Sequence, residues 1–303
     1  RICPPCCAAH EKTMSDLLQF VFSGLTTGSI YALAALGFSI IYNASRVINF
    51  AQGDFLMLGG VFAVVGGQLG LPLWLVIPFS VCATVLVGAL LERLAIAPAR
   101  DADAISLIII TIGASIFIQG IVQITFGKNQ HPMTPFSGDA AIDIGGAMLL
   151  PQSLWVIGTA AVLMIITGCF FRFTLIGKAM LAVSANRMAA QLVGINTRMV
   201  LLLSFCLSAL LGSFAGIVAA PITTVVFDLG LMLGMKGFVA AILGGLGSGV
   251  GAVVGGLVVG LLEALVAGYI SSAYKDAVPF VLIIVILLLM PNGIFGAKSV
   301  ERV

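Results

Sequence analysis

Few side chains in this 303-residue sequence can donate, accept or titrate, and those that can stand between long apolar runs. Asn49, Gln52 and Asp54 fall within Asn49-Phe50-Ala51-Gln52-Gly53-Asp54-Phe55, where two amides, a glycine and a carboxylate precede an apolar run. A carboxylate at the start of a helix complements its positive end, so capping of a turn is one reading. The other is a helix broken at depth that lends polar groups to a solute's route, because irregular backbone inside a bilayer is tolerated where it lines a cavity. Glu263, in Gly260-Leu261-Leu262-Glu263-Ala264-Leu265, is the acidic residue that lies well inside an apolar run. At bilayer depth a carboxylate costs several kcal/mol unless it is paired, neutral or facing a cavity. Three roles stand open for it: structural pairing with a backbone group or a side chain of another subunit, a place on a pathway or its gate, and proton coupling.

Catalysis has little material to work with. Two histidines, His10 and His131, supply neither a metal centre nor histidine-based acid/base chemistry. Cys82, Cys169 and Cys206 stand singly within apolar runs and read as small buried hydrophobes. Cys3-Pro4-Pro5-Cys6 has ligand spacing, but the second pair that a zinc site needs does not follow. The run from Gly244 to Gly251 lacks the Gly-Lys-Ser/Thr ending of a phosphate-binding loop and follows no strand pattern. Its glycines suit close helix packing and a sharp break. The expectation is a non-catalytic chain with no metal and no cofactor.

One polar segment has the character of a docking element. Lys178 to Val193 is rich in helix formers and is bounded by Gly177 and Gly194. Leu181, Met188, Leu192 and Val193 share one face of that helix. The face either lies on the membrane surface or meets a cytoplasmic partner.

The elements that must position these residues follow from composition. Hydrophobic residues make up 60% of the chain and charged residues 9%, against roughly 45–50% and about 25% in soluble domains. The bilayer is therefore the solvent, and a net charge of +2 with scattered basic residues points away from nucleic acid. Charge-free runs cover Leu17–Tyr42, Phe55–Leu69, Leu71–Leu91, Ala104–Phe126, Leu154–Phe171, Met199–Ala220, Ala252–Tyr269 and Ala277–Phe295, with a shorter Gly237–Leu246. The fold expected is an all-α membrane protein, a polytopic bundle of about 8 transmembrane helices plus a short Gly-broken half-helix. Residues 1–13 read as a non-native or mis-called leader, 14–296 as a single transmembrane domain and 297–303 as a short cytoplasmic tail. With the basic loop of Arg172, Lys178, Arg187 and Arg198 inside, Arg46, Arg93, Arg100, Lys298 and Arg302 also fall inside. Lys128, Lys236 and Lys275 fall outside, with Arg1 and Lys12 of the leader. That places the N-terminus out and the C-terminus in, provided that the 236–247 segment crosses and does not re-enter. The Gly127–Pro151 stretch, with Pro132, Pro135, Asp139 and Asp143, reads as an ordered external turn.

Several segments then match one pattern in order. Gly28-Ser29-Ile30-Tyr31-Ala32-Leu33-Ala34-Ala35-Leu36-Gly37, followed by Val47-Ile48-Asn49-Phe50-Ala51-Gln52-Gly53-Asp54-Phe55, resembles the opening of branched-chain amino acid ABC transporter permeases, the smaller membrane subunit. Ala189-Ala190-Gln191-Leu192-Val193-Gly194-Ile195-Asn196, the stretch from Gly237 to Ser248, and Met290-Pro291-Asn292-Gly293-Ile294-Phe295-Gly296 are similar to that family too. The resemblance implies one half of a heteromeric pore in a bacterial inner membrane. It implies as partners a second permease, two ATP-binding cassette ATPases and a periplasmic amino-acid-binding protein. It also implies that the 177–195 loop is a coupling element, with Gly177, Asn186, Arg187, Ala190, Gly194 and Ile195 as its residues. Many members carry acidic residues in this loop; none lies here between Arg172 and Arg198, which argues against salt-bridged docking. Specificity in such systems resides mainly in the binding protein, and their solutes include leucine, isoleucine and valine as well as other amino acids, amides and urea. The competing class is an ion-coupled secondary carrier that titrates Glu263 or Asp54.

Overall fold

A computed structural model of the chain describes residues 5–99, 102–138, 140–144, 146–290 and 292–296, with side chains described from residue 15 onward except at Ile144. Its helices are α1 (Pro5–Ser45), α2 (Gln52–Gln68), α3 (Leu73–Leu91), α4 (Ala104–Phe126), α5 (Pro151–Phe173), α6 (Leu175–Ala185), α7 (Arg187–Leu192), α8 (Thr197–Thr223), α9 (Leu229–Gly244), α10 (Gly249–Tyr269) and α11 (Val278–Leu289). A π-helical turn, Glu92–Ile96, extends α3, and a 3-10 turn, Ser272–Ala277, leads into α11. The stretch between α4 and α5 contains a small antiparallel hairpin of β1 (Ile142–Ile144) and β2 (Ala147–Leu149), which together with an isolated His131–Val225 bridge makes up the extended pairing among the described residues. The backbone of residues 5–13 continues α1. Cys3, Arg100, Asp139, Pro291 and the 297–303 tail, with Lys298 and Arg302, lie outside the described residues.

Seven helices are long and apolar enough to span a bilayer: Ser15–Ser45, Leu73–Ile96, Ala104–Phe126, Pro151–Phe173, Thr197–Thr223, Gly249–Tyr269 and Ser272–Leu289. The chain is a multi-pass helical membrane protein. Two expected segments differ in form. Phe55–Leu69 belongs to a helix of 17 residues, α2, and the half-helix begins eight positions earlier than its charge-free run, giving the 16-residue α9. Both fall short of the roughly 20 residues that a full crossing takes.

Their shortness has a geometric cause. α2 does not start at the end of the bundle where α1 stops, because Gln52 packs on Gly37 of α1 and hydrogen-bonds to Ser208 of α8. Gly37 lies about 12 Å back along α1 from Ser45, and Ser208 about 16 Å along α8 from Thr197, at 1.5 Å per residue. Residues 46–51 therefore carry the chain back inside before helix resumes. α9 has the mirror problem. Val225 pairs with His131 beyond the far end of α4, yet Gly230 packs on Gly53, so residues 224–228 descend from the far end before α9 begins. Arg46 and Thr224, the described non-glycine residues with left-handed backbone (φ 60° and 55°), mark these two entries. α9 then reaches the end at which α1 finishes: the Asn43 side chain donates to the Gly247 carbonyl at 2.8 Å, and Ile294 N to the Leu243 carbonyl at 2.9 Å. The segment thus passes through the bundle as extended chain plus a half-length helix.

Small residues permit this density. A Cβ added to Gly256 would lie 2.4 Å from Ala32 Cα, and one on Gly216 1.9 Å from the Leu56 carbonyl oxygen. Close backbone approach of this kind is how helices associate where lipid removes the hydrophobic drive between them. α1 and α8 form the interior of the bundle, whereas α3, α4, α5 and α11 turn most of their apolar side chains outward.

Candidate functional site

The N-terminal ends of α2 and α9 meet inside the bundle and run on in opposite directions. At the meeting point a Cβ on Gly53 would sit 2.0 Å from the Gly230 carbonyl oxygen, and one on Gly234 2.8 Å from Gly53 Cα. Neither helix caps itself with a side chain at this end, since Ala51 and Asp228 make no cap hydrogen bond. The positive ends of two helix dipoles are thereby brought to one interior place, where local bonds close part of each first turn: the N–H groups of Gln52 and Asp54 donate to the Asn49 and Ala51 carbonyls, and those of Leu229 and Leu231 to the Val226 and Asp228 carbonyls.

The three polar residues of the α1–α2 connection have different roles there. Asn49 is buried; its Oδ1 accepts the Ala51 N–H at 3.1 Å, and its Nδ2 has no partner among the described residues. Gln52 is a staple between helices: its Nε2 donates to the Ser208 carbonyl at 3.4 Å, and its Oε1 accepts a short bond from Ser208 Oγ. Asp54 does not cap α2. Its side chain turns to α4, where Oδ1 accepts from Gln119 Nε2 at 2.8 Å, and the same amide approaches Ser115 Oγ at 3.1 Å. Asp54 Oδ2 has no hydrogen-bond partner, although the residue is only 1% exposed. Beside this cluster lies a cavity of about 370 Å³ whose wall includes Ser115, Gln119, Gly230 and Gly234 together with the rings of Phe50 and Phe238. Those rings pack with centroids 5.6 Å apart.

Glu263 belongs to a separate network. Lys236 Nζ lies 2.7 Å from its Oε1 and 2.6 Å from Asp276 Oδ1, and Tyr31 donates its hydroxyl to Glu263 Oε2 at 2.8 Å. Lys236 also stands 5.6 Å from the centre of the Tyr31 ring. The partner of the intramembrane carboxylate is therefore within this chain. Lys236 is not in an outer loop, as the charge count placed it, but buried in α9. The network ties α1, α9 and α10 to the turn before α11.

The basic loop also has a different form from the single helix expected between Gly177 and Gly194. It folds as α6 and α7 with a break at Asn186, whose extended backbone (φ −154°, ψ 106°) ends one helix and whose Oδ1 caps the next by accepting the Ala189 N–H at 3.0 Å. Gly177 is a packing residue: a Cβ there would lie 2.4 Å from the Phe170 carbonyl oxygen. Ala190 points inward at 3% exposure, whereas Arg187 is exposed. Gly194, at φ 87°, turns the chain towards the half-buried Ile195 and α8. Met188, Leu192 and Val193 stand out at 74%, 84% and 77% exposure. Arg46 donates to the Ser184 carbonyl, which anchors α6 to the end of α1.

Ser115, Gln119, Gly230, Gly234, Lys236 and Tyr31 are the residues that sequence reasoning missed. A signal existed for two of them. Thr111, Ser115 and Gln119 recur every four residues in an apolar run, which puts three polar groups on one helix face.

Comparison with known proteins agrees with this architecture. Residues 20–287 match the family model described as branched-chain amino acid transport system / permease component. The chain is 34% identical to the high-affinity branched-chain amino acid transport system permease protein LivH of Escherichia coli (strain K12), over 94% of this chain and 97% of that protein. It is 32% identical to the corresponding permease protein BraD of Pseudomonas aeruginosa, over 94% and 98%. Among solved structures, PsaBC from Streptococcus pneumoniae in complex with Fab shares the fold with a TM-score of 0.50 at 12% identity, over 90% of this chain and 92% of that one. The chain, with its seven long apolar helices and its two half-length ones, belongs to the family of branched-chain amino acid transport permease components.

Proposed function

We propose that this chain is the permease subunit of an ATP-driven importer for branched-chain or related amino acids in a bacterial inner membrane. It forms the pore with a second permease subunit, receives solute from a periplasmic binding protein, and is driven by two ATPase subunits. The relatives named above carry their solute assignment in their names, and their similarity over nearly the whole chain supports the same class here.

The observation that carries the coupling half of this reading is α7. Met188, Leu192 and Val193 form an apolar knob that this chain leaves uncovered. The knob sits on α6, which is fixed by Gly177 against α5 and by Arg46 against the end of α1. It lies at the end of the bundle that carries Arg46, Arg93, Arg172, Lys178, Arg187 and Arg198, so the preference of basic residues for the cytoplasmic side puts it in the cytosol. An ATPase groove that receives the knob transmits its own closure to α5, α8 and α1 as a rigid push. ATP binding biases the pore between two states by differential affinity for them, so the free energy arises outside this chain.

Glu263 is taken up by Lys236 and Tyr31, with Asp276 on the same lysine, which leaves Asp54 as the carboxylate that the competing secondary-carrier reading would titrate. Leu192→Glu tests the proposal. The variant is expected to insert and fold normally, to lose the ATPases on co-purification, and to lose ATP-driven leucine uptake. Retention of both ATPases at wild-type stoichiometry would refute the docking role.

A further inference from the structure

We propose that the cavity between the α1–α2 connection, α4 and α9 is a binding station for the ammonium group of a passing apolar amino acid, with Gln119 and Ser115 as its contacts and Asp54, behind the wall, as the residue that orients and polarises them. This rests on the importer reading above and names where in this chain the solute is held.

Three observations converge on it. First, Asp54 is a buried carboxylate for which the described residues supply no cation: its Oδ1 takes the Gln119 amide, its Oδ2 takes nothing, and the ion pairs of the described residues lie elsewhere, on Lys236. An intramembrane carboxylate in that condition is a functional-site candidate by default, and a cation that enters the neighbouring cavity is the partner the geometry offers it. Second, Asp54 fixes the orientation of Gln119. A carboxylate accepts only from the amide nitrogen, so the Gln119 Nε2 faces Asp54 and its carbonyl oxygen is free to accept from a third group. Ser115 Oγ, 3.1 Å from the same amide, adds a second acceptor on the cavity wall. Third, the cavity matches the rest of such a solute. Phe50 and Phe238 offer an apolar wall to an aliphatic side chain, and Gly230 in the first turn of α9 brings the positive end of that helix to the wall, where it favours a carboxylate. The polar pair takes the ammonium, the N-terminal end of α9 takes the carboxylate, and the rings take the hydrocarbon. Because the contacts number only a few and one carboxylate stands behind them, the site holds an amino acid weakly enough to release it.

The test uses the assembled importer, with both permeases and both ATPases, in proteoliposomes with its binding protein. In a background with Cys3, Cys6, Cys7, Cys82, Cys169 and Cys206 replaced by serine, Ile116→Cys places a thiol on the cavity wall. Leucine during turnover is expected to slow modification of that thiol by a methanethiosulfonate reagent by roughly tenfold, the effect of about 1.4 kcal/mol. The amine-free analogue 4-methylpentanoate is expected not to protect, and Asp54→Asn, which keeps the shape of the side chain, is expected to abolish protection by leucine. Equal protection by the two compounds overturns the ammonium assignment, as does full protection in Asp54→Asn. A sodium or proton gradient that drives leucine uptake in the wild type and not in Asp54→Asn assigns the carboxylate to an inorganic cation and also overturns it. If the unmodified importer shows no ATP-driven leucine uptake, the importer reading itself has failed. If that uptake is intact and the thiol is never protected, only the binding station has failed.

Discussion

Replacing Gly53 by alanine should separate the two half-length helices and should do so without altering a single polar side chain. The added Cβ would lie 2.0 Å from the Gly230 carbonyl oxygen, 2.9 Å from its carbon and 2.9 Å from Gly234 Cα. A carbon and an oxygen do not approach closer than about 3.2 Å without repulsion, so α2 and α9 must part by about 1 Å. All three obstructing atoms are backbone, so no rotamer change can relieve the clash. The cost therefore belongs at the upper end of the range for overpacking, about 3 kcal/mol. At about 2 °C per kcal/mol for a chain of this size, that is a fall of about 6 °C in melting temperature. The measurement is thermal unfolding of the detergent-purified complex, paired with uptake in proteoliposomes. Gly113→Ala in α4 is the control, since a Cβ there meets nothing within 4 Å, and it should be neutral or slightly stabilising. If Gly53→Ala melts and transports like Gly113→Ala, the close contact between the half-helices does not exist and the description of the interior junction is wrong.

Other consequences are as direct. Lys236→Met should leave Glu263 charged and unpaired in the interior, with a loss of about 3–5 kcal/mol of stability, and the double variant with Glu263→Gln should recover most of it. Recovery in a thermal-shift series is the check, and a single variant as stable as the double would contradict the pairing. Asn186→Ala removes the cap of α7, which costs about 1 kcal/mol locally. The expected result is faster amide hydrogen exchange confined to residues 187–192 and lower ATP-driven uptake, with an unchanged global melting temperature.

Much of this protein was legible from residue types alone, and for a simple reason. Where lipid is the solvent, every crossing must satisfy its own backbone and present apolar side chains, so the long helices declare themselves as charge-free runs of sufficient length. Ala104–Phe126 was located to the residue on that rule. The basic loop between α5 and α8 was recognised because glycines bounded it and basic residues crowded it, and the run containing Asn49, Gln52 and Asp54 was singled out because polar groups between apolar runs are costly. What those rules do not contain is depth. The run at Phe55–Leu69 looks like an ordinary crossing, and only the contact of Gln52 with Gly37 and Ser208 shows that its helix begins far inside the bundle. Lys236 sits next to a glycine at the edge of a short apolar run, so counting charges assigned it to a loop. Its partners Glu263 and Asp276 lie 27 and 40 positions away, and only packing brings them to it. The same holds for Asp54 and Gln119, 65 positions apart: each is an isolated polar residue in one dimension, and a coupled pair in three. Apolar periodicity is a local consequence of solvent, and so a sequence displays it; the pairing of buried polar groups is a property of which helices touch, and that was settled by glycines that let backbones approach within contact distance.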